Sequence, residues 1–122
     1  MDLDETITAA PAQFARLSQA LRALGDKVIV VTGHGPVATR QALLDSMGVV
    51  VDEIVVVDPT DDGSGKAEAL RDLGSWFHFD DKIQFGPEII SVCPVTFQFV
   101  MPEGDKKPQK AATKAAKALG RI

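Results

Sequence analysis

Lys27-Val28-Ile29-Val30-Val31-Thr32-Gly33 decides the fold. Its β-branched residues follow one another without polar alternation, so the run reads as a strand covered on both faces, the pattern of a parallel sheet. Upstream, Phe14, Leu17, Leu21 and Leu24 recur at helical spacing between Pro11, suited to a first turn, and Gly25, a natural stop. Downstream, Gly33-His34-Gly35-Pro36 breaks the strand, and Val37, Leu43, Leu44 and Met47 describe a second helix ending at Gly48. Ile54 to Val57 is a second strand, Asp58 to Gly65 a polar loop, and Lys66 to Leu73 a third helix stopped by Gly74. Trp76 to Phe79 is a third strand. Strands alternating with helices through short loops imply crossover connections and a mainly parallel α/β sheet, in which ligands bind beyond the carboxyl ends of the strands.

Past Phe85-Gly86-Pro87 the pattern changes. Ile89 to Val92 and Val95 to Met101 are both strand-like, and Pro94 between them suits an edge strand or a bulge. From Pro108 to Leu119 the chain is alanine-rich, with Lys110, Lys114 and Lys117 on one face of a short, solvated helix. There is no internal repeat and no linker. The organisation expected is an α/β domain over 1–104 and a basic tail or helix over 105–122.

A chain of 122 residues makes one domain with a real core, and 45% hydrophobic and 25% charged residues are ordinary globular composition that argues against disorder. Cys93 stands alone, so no internal disulfide forms; it reads as a small buried hydrophobe in a reducing compartment. No apolar stretch approaches the roughly 20 residues of a membrane span, and the first residues are acidic, so a soluble, cytoplasmic protein is expected. The net charge of -4 is uneven: Lys106, Lys107, Lys110, Lys114, Lys117 and Arg121 face only Asp105 in the tail, leaving a strongly acidic body. Such a body is not expected to bind nucleic acid over its whole surface, and the basic tail is the one part of the chain suited to a phosphate contact.

Polar residues punctuate this frame in a set order. Asp2-Leu3-Asp4-Glu5-Thr6 places two carboxylates two positions apart; Val30-Val31-Thr32-Gly33 ends a strand in a hydroxyl; Gly65-Lys66 opens a helix; Phe79-Asp80-Asp81 ends a strand in two acids. Each has a plainer reading. The first is an acidic approach to a helix, Thr32 an ordinary strand end, and Lys66 a solvated first-turn lysine. Gly63-Ser64-Gly65-Lys66 is not a nucleotide-binding phosphate loop, because Thr60 stands where glycine is needed and Ala67 where serine or threonine is. His34 is either a substrate contact or an exposed loop histidine, Asp61-Asp62 a solvated turn, and Trp76 a core residue.

Taken together in this order, the four motifs resemble the haloacid dehalogenase superfamily of phosphotransferases over about the first two thirds of the chain. The resemblance implies a Rossmann-like three-layer sandwich and a magnesium-dependent phosphohydrolase. Asp2 would be the nucleophile that forms an aspartyl-phosphate, and Asp4 would protonate the leaving oxygen and later activate water. Thr32 and Gly33 would contact the phosphoryl group, and Lys66 would offset the charge on nucleophile and phosphate. Asp2, the Asp4 backbone carbonyl, Asp80 and Asp81 would hold Mg2+. Halide-removing members lack a carboxylate at the position of Asp4, which favours phosphate chemistry.

Neither of the family's cap positions has room for a cap here. The open site then suits a large phosphorylated substrate that brings its own cover, or a small one enclosed by a neighbouring subunit of a homo-oligomer. The resemblance also implies a central strand ending at Asp2, yet only Met1 precedes it; three explanations compete, a start inside a longer protein, a strand supplied by another segment or subunit, and a decayed relative, and the first is preferred because the motifs are intact. The alternative is a non-catalytic domain of the same type, used for binding or assembly and inactive because that strand is missing. A response-regulator receiver with Asp58 as acceptor fits less well, because Lys66 precedes the Asp80-Asp81 pair instead of following it.

Overall fold

A computed structural model describes residues 1–93 and 96–100, the side chains of 96–99 excepted. The expected basic tail, the expected helix within it and Pro94-Val95 lie outside the described residues. After an irregular wide turn at Leu3–Ile7 come α1 (Pro11–Ala23), β1 (Ile29–Thr32), α2 (Val37–Ser46), β2 (Glu53–Val56), α3 (Ser64–Leu73) and β3 (Phe77–Asp80). A short 3-10 turn (Ile83–Phe85) leads into α4 (Gly86–Val92), and β4 (Thr96–Phe99) follows. The architecture is α/β with a small parallel sheet, as the alternation of patterns implies.

β1 pairs in parallel with β2, Val30 opposite Ile54, and β3 pairs in parallel with β4, His78 opposite Phe97. The two ladders are joined by the first two residues. The Met1 nitrogen donates to the Ile29 carbonyl at 2.7 Å, the Val31 amide donates to the Met1 carbonyl at 2.8 Å, and the Asp2 amide donates to the Phe79 carbonyl at 2.9 Å. Met1-Asp2 thus lies between the two ladders, giving the order β2, β1, Met1-Asp2, β3, β4. Beside Met1 a cavity of about 180 Å³ lies between β1 and β3, lined by Leu17, Leu21, Ile29, Trp76, Phe77 and Phe79 among others.

Apolar packing falls on both sides of β1. Val28 and Val30 join Met1, Leu3, Ile7, Phe14, Leu44 and Val49 in one cluster, which draws on α1 and α2. Val31 joins Ala67, Leu70, Ile89 and Cys93 in the other, which draws on α3 and α4. The unbroken β-branched run is therefore explained by cover on two faces. Cys93 is buried, as expected of a small hydrophobe.

Three expectations are corrected. Ile89 to Val92 is helical, not strand: Gly86-Pro87 supplies a helix start, and Ile89 is fully buried beside Leu70. Trp76 precedes β3 and is half exposed, so it is not a core residue. Leu24, placed on the apolar face of α1, is the exposed C-cap, and the buried positions of that helix are Phe14 and Ser18. Among the described residues, no helix is long and apolar enough to cross a membrane.

Candidate functional site

The carboxyl ends of β1, β2 and β3 open on one side of the sheet, and the motif residues converge there. A cavity of about 580 Å³ is lined by Asp2, Asp4, Gly33, Lys66 and Asp81, and by His34, Asp58, Asp61, Lys82 and Phe85 from the surrounding loops. That volume is in the range of small-ligand pockets.

Asp2 reaches the centre because its amide is tied to β3 and Met1 to β1. Asp80 ends β3, and Asp81 follows it. Carboxylate oxygens of Asp2, Asp80 and Asp81 lie within 4.8 Å of one another, and all three residues are buried. Lys66, in the first turn of α3, places its Nζ 2.5 Å from Asp2 Oδ1 and 2.9 Å from Asp80 Oδ2. α3 begins at Ser64, two residues before the expected start. The Asp62 carboxylate accepts the Ser64 amide, and the Thr60 hydroxyl accepts the Gly65 amide, so the polar loop ends the helix's orphan donors.

Two residues not assigned a role from sequence complete the arrangement. The Thr6 hydroxyl lies 3.2 Å from Asp2 Oδ2 and 3.3 Å from Asp81 Oδ1, bridging the two carboxyls. His78, fully buried on β3, places Nε2 2.9 Å from Asp80 Oδ2. Their positions carried a signal: Thr6 closes the first motif, and His78 is two residues before Asp80 and so on the same strand face.

Charge is crowded here. Burial, then the Asp80 charge, raises the Asp2 carboxyl above its ordinary range, against the pull of Lys66. Asp81 is pushed up to about 8, by burial first and then by Asp2 and Asp80. Asp80 moves the other way: burial opposes its ionisation, but the His78 hydrogen bond and Lys66 together hold it well below the usual carboxylate range. Burial disfavours the Lys66 ammonium, yet Asp2 and Asp80 outweigh this and raise it. His78 is lowered to about 4, by burial and then by the Met1 ammonium, so the ring is neutral at pH 7. Three converging carboxyls, of which two resist ionisation because they are buried beside one another, form an all-oxygen donor set of the kind a hard divalent cation takes.

The remaining predicted residues sit nearby with different contacts. Thr32 is fully buried, and its hydroxyl accepts the His34 amide at 3.2 Å, while Gly33 lines the cavity. The Asp4 side chain lies outside the carboxyl cluster and is paired instead with Arg40 of α2, Oδ1 to Nη1 3.2 Å. Arg40 was not singled out in the sequence, since a helix-surface arginine has no motif. His34 is exposed at the cavity rim.

Comparison with protein-family models, with curated proteins and with solved structures gives no match.

Proposed function

We propose that this protein is a magnesium-dependent phosphohydrolase that cleaves phosphomonoesters through an aspartyl-phosphate on Asp2, built on a Rossmann-like three-layer sandwich. The observation that carries the reading is the convergence of Asp2, Asp80 and Asp81 with the Lys66 ammonium in one cavity, from segments far apart in the chain. Cores on both faces of β1 support the layered fold.

Asp2, Asp80 and Asp81 would hold Mg2+, with the Asp4 backbone carbonyl as a further oxygen. When bound, the ion supplies positive charge that lets an anionic nucleophile approach an anionic ester. Asp2 attacks phosphorus; Lys66, already between Asp2 and Asp80, neutralises charge on nucleophile and phosphoryl oxygens. The bond to the leaving oxygen breaks, and that oxygen takes a proton from Asp4. Water then attacks phosphorus, gives its proton to Asp4 and frees Asp2. Gly33 borders the phosphoryl position, while Thr32, buried and bonded to the His34 amide, shapes the loop that carries Gly33. His78 and Thr6 hold Asp80, Asp2 and Asp81 in place.

Asp2→Asn is expected to lower turnover of p-nitrophenyl phosphate by roughly 10³-fold or more while the circular dichroism spectrum is kept. Retained turnover ends the reading. A wild-type chain that binds Mg2+ but hydrolyses nothing supports instead a non-catalytic binding or assembly domain.

A further inference from the structure

We propose that Phe85 is a positioning residue for Lys66, its ring holding the ammonium in place while the charge on Asp2 is spent on phosphorus. The proposal rests on the phosphohydrolase reading above.

The Lys66 Nζ stands over the Phe85 ring, 5.7 Å from its centroid. A cation over an aromatic face within about 6 Å is attracted by the ring's quadrupole, and more strongly where water is kept away. Lys66 meets that condition, since its side chain is only 9% exposed. The ammonium has three donors. Two go to Asp2 Oδ1 and Asp80 Oδ2, which leaves the third for a phosphoryl oxygen. Lys66 and Phe85 both line the cavity that the ester would enter.

The ring is seated by three separate features. It packs against the apolar cluster of Val31, Ala67, Leu70, Ile89 and Cys93, which supports it from behind. It lies on Gly63, where a Cβ would come within 2.6 Å of the Phe85 Cβ and Cγ, so the bare backbone at the start of α3 is what lets the ring approach so closely. Its backbone is tied to the segment that carries Asp80: Asp80 Oδ1 accepts the Lys82 amide at 3.1 Å, and the Lys82 carbonyl accepts the Phe85 amide at 3.0 Å. A ring serving the core alone needs only the first of these. Phe85 is instead partly exposed, at the wall of a charged cavity.

The chemistry gives the contact a task. As an Asp2 oxygen bonds to phosphorus, its charge passes to the phosphoryl group and then, with the electron pair of the breaking bond, to the leaving oxygen. Asp2 therefore pulls less on Lys66 just when the phosphoryl oxygens need the ammonium most. The quadrupole of the ring does not change during the reaction. It restrains the ammonium in the step in which Asp2 no longer does, so weakening it must lower kcat more than it weakens substrate binding.

The experiment replaces Phe85 with mono-, di- and trifluorophenylalanine, which keep the shape of the ring and progressively remove its negative face, and separately with Leu and Tyr. Both kcat and KM are measured with Mg2+ on p-nitrophenyl phosphate and on glycerol 2-phosphate. The logarithm of kcat is expected to fall in steps with each fluorine, to about 10-fold below wild type for the trifluoro ring, with KM changed by less than about 2-fold. Phe85→Leu falls about as far as the trifluoro ring, and Phe85→Tyr stays within about 3-fold of wild type. The two esters lose alike, because Lys66 serves the phosphoryl group common to both. A Phe85→Leu variant as active as wild type, a kcat that ignores the number of fluorines, or a change confined to KM overturns the proposal and leaves the phosphohydrolase reading intact. So does a loss confined to the aryl ester, which would mean that the ring meets the leaving group. Wild-type activity on neither ester overturns both. The fluorinated chains keep the apolar volume at position 85, so a folding defect does not stand in for the effect.

Discussion

Lys66 is the residue on which the buried charges depend. Its ammonium is the cation nearest both Asp2 and Asp80, and all three side chains are nearly or fully shielded from water. Removing one member of a buried ionic group leaves the others uncompensated, at a cost of about 3 kcal/mol or more. Lys66→Met is therefore expected to lower unfolding free energy by that amount in urea titrations, and saturating Mg2+ to restore part of it; an unchanged midpoint would mean that the ion pairs are absent. The raised carboxyls add a pH signature. Asp81 in the folded chain is pushed up to about 8, against an ordinary carboxyl value of 3.8, so the native state binds more protons in between and its stability falls as pH rises through that window. His78, lowered to about 4, and the Met1 ammonium, lowered to about 5 chiefly by burial, act in the opposite sense, because there the unfolded chain binds more protons. The difference in melting temperature with and without Mg2+ largely cancels these background slopes. Since bound carboxylates must be deprotonated, that difference is expected to grow from pH 5.5 to pH 8, by differential scanning fluorimetry. A Mg2+ effect that is flat across the range contradicts the assignment of Asp2 and Asp81 as ligands.

At the scale of elements, the loop between β2 and α3 shows how the backbone delivers Lys66. Gly63 has φ 80°, and a Cβ there would lie 2.6 Å from the Phe85 side chain. Gly74, at the other end of α3, has φ 67°, but a Cβ there meets nothing within 4 Å. Each alanine substitution pays a left-handed backbone penalty of about 1–2 kcal/mol. Gly63→Ala must in addition displace Phe85, whose ring lies 5.7 Å from the Lys66 ammonium. The expectation is that Gly63→Ala destabilises by at least about 1 kcal/mol more than Gly74→Ala in the same denaturant series; equal costs would show that Phe85 does not close over that loop. The elements differ in how legible they were. β1, α1, α2 and α3 declared themselves through periodicity and through glycine and proline at their ends. The segment from Ile89 to Val92 did not: Ile89, Ile90 and Val92 have a high β propensity and the segment is too short to carry a period, and burial of Ile89 beside Leu70 made it a helix. Trp76 likewise sits at the mouth of a cavity, where an apolar ring is half covered, and no local pattern separates that from a core position.

Across the whole molecule, the four motif segments were legible as a site because topology converts chain order into proximity: the ends of parallel strands share one side of a sheet. What the sequence did not convey is which atoms the assembled groups would bind, as with Thr32, whose hydroxyl turns to the His34 amide, and Asp4, whose carboxyl turns to Arg40. Nor did it show that two residues suffice to join two ladders. Met1 and Asp2 alternate their bonds, Met1 to β1 and Asp2 to β3. Continued upstream, the same period of two would aim the next residue at Phe77 and Phe79 and the one before it at Lys27 and Ile29, along the apolar cavity beside Met1. A chain carrying four added β-branched residues before Met1 is thus expected to lay them between β1 and β3. The added amide at Met1 would keep the bond to the Ile29 carbonyl without placing a charged amine in a buried site. Each buried residue contributes about 1.5–3 kcal/mol against an ordering cost of about 1–2 kcal/mol, so the net gain is of the order of 1 kcal/mol or more, or roughly 5 °C in melting temperature. A Gly-Ser extension of equal length, with no apolar surface to bury, should give no such gain. Trp76, half exposed at the cavity wall, reports the difference through a blue shift of its fluorescence with the apolar extension alone. Equal melting temperatures for the two extensions would mean that the gap between the ladders does not accept a strand, and that Met1-Asp2 closes the sheet by itself.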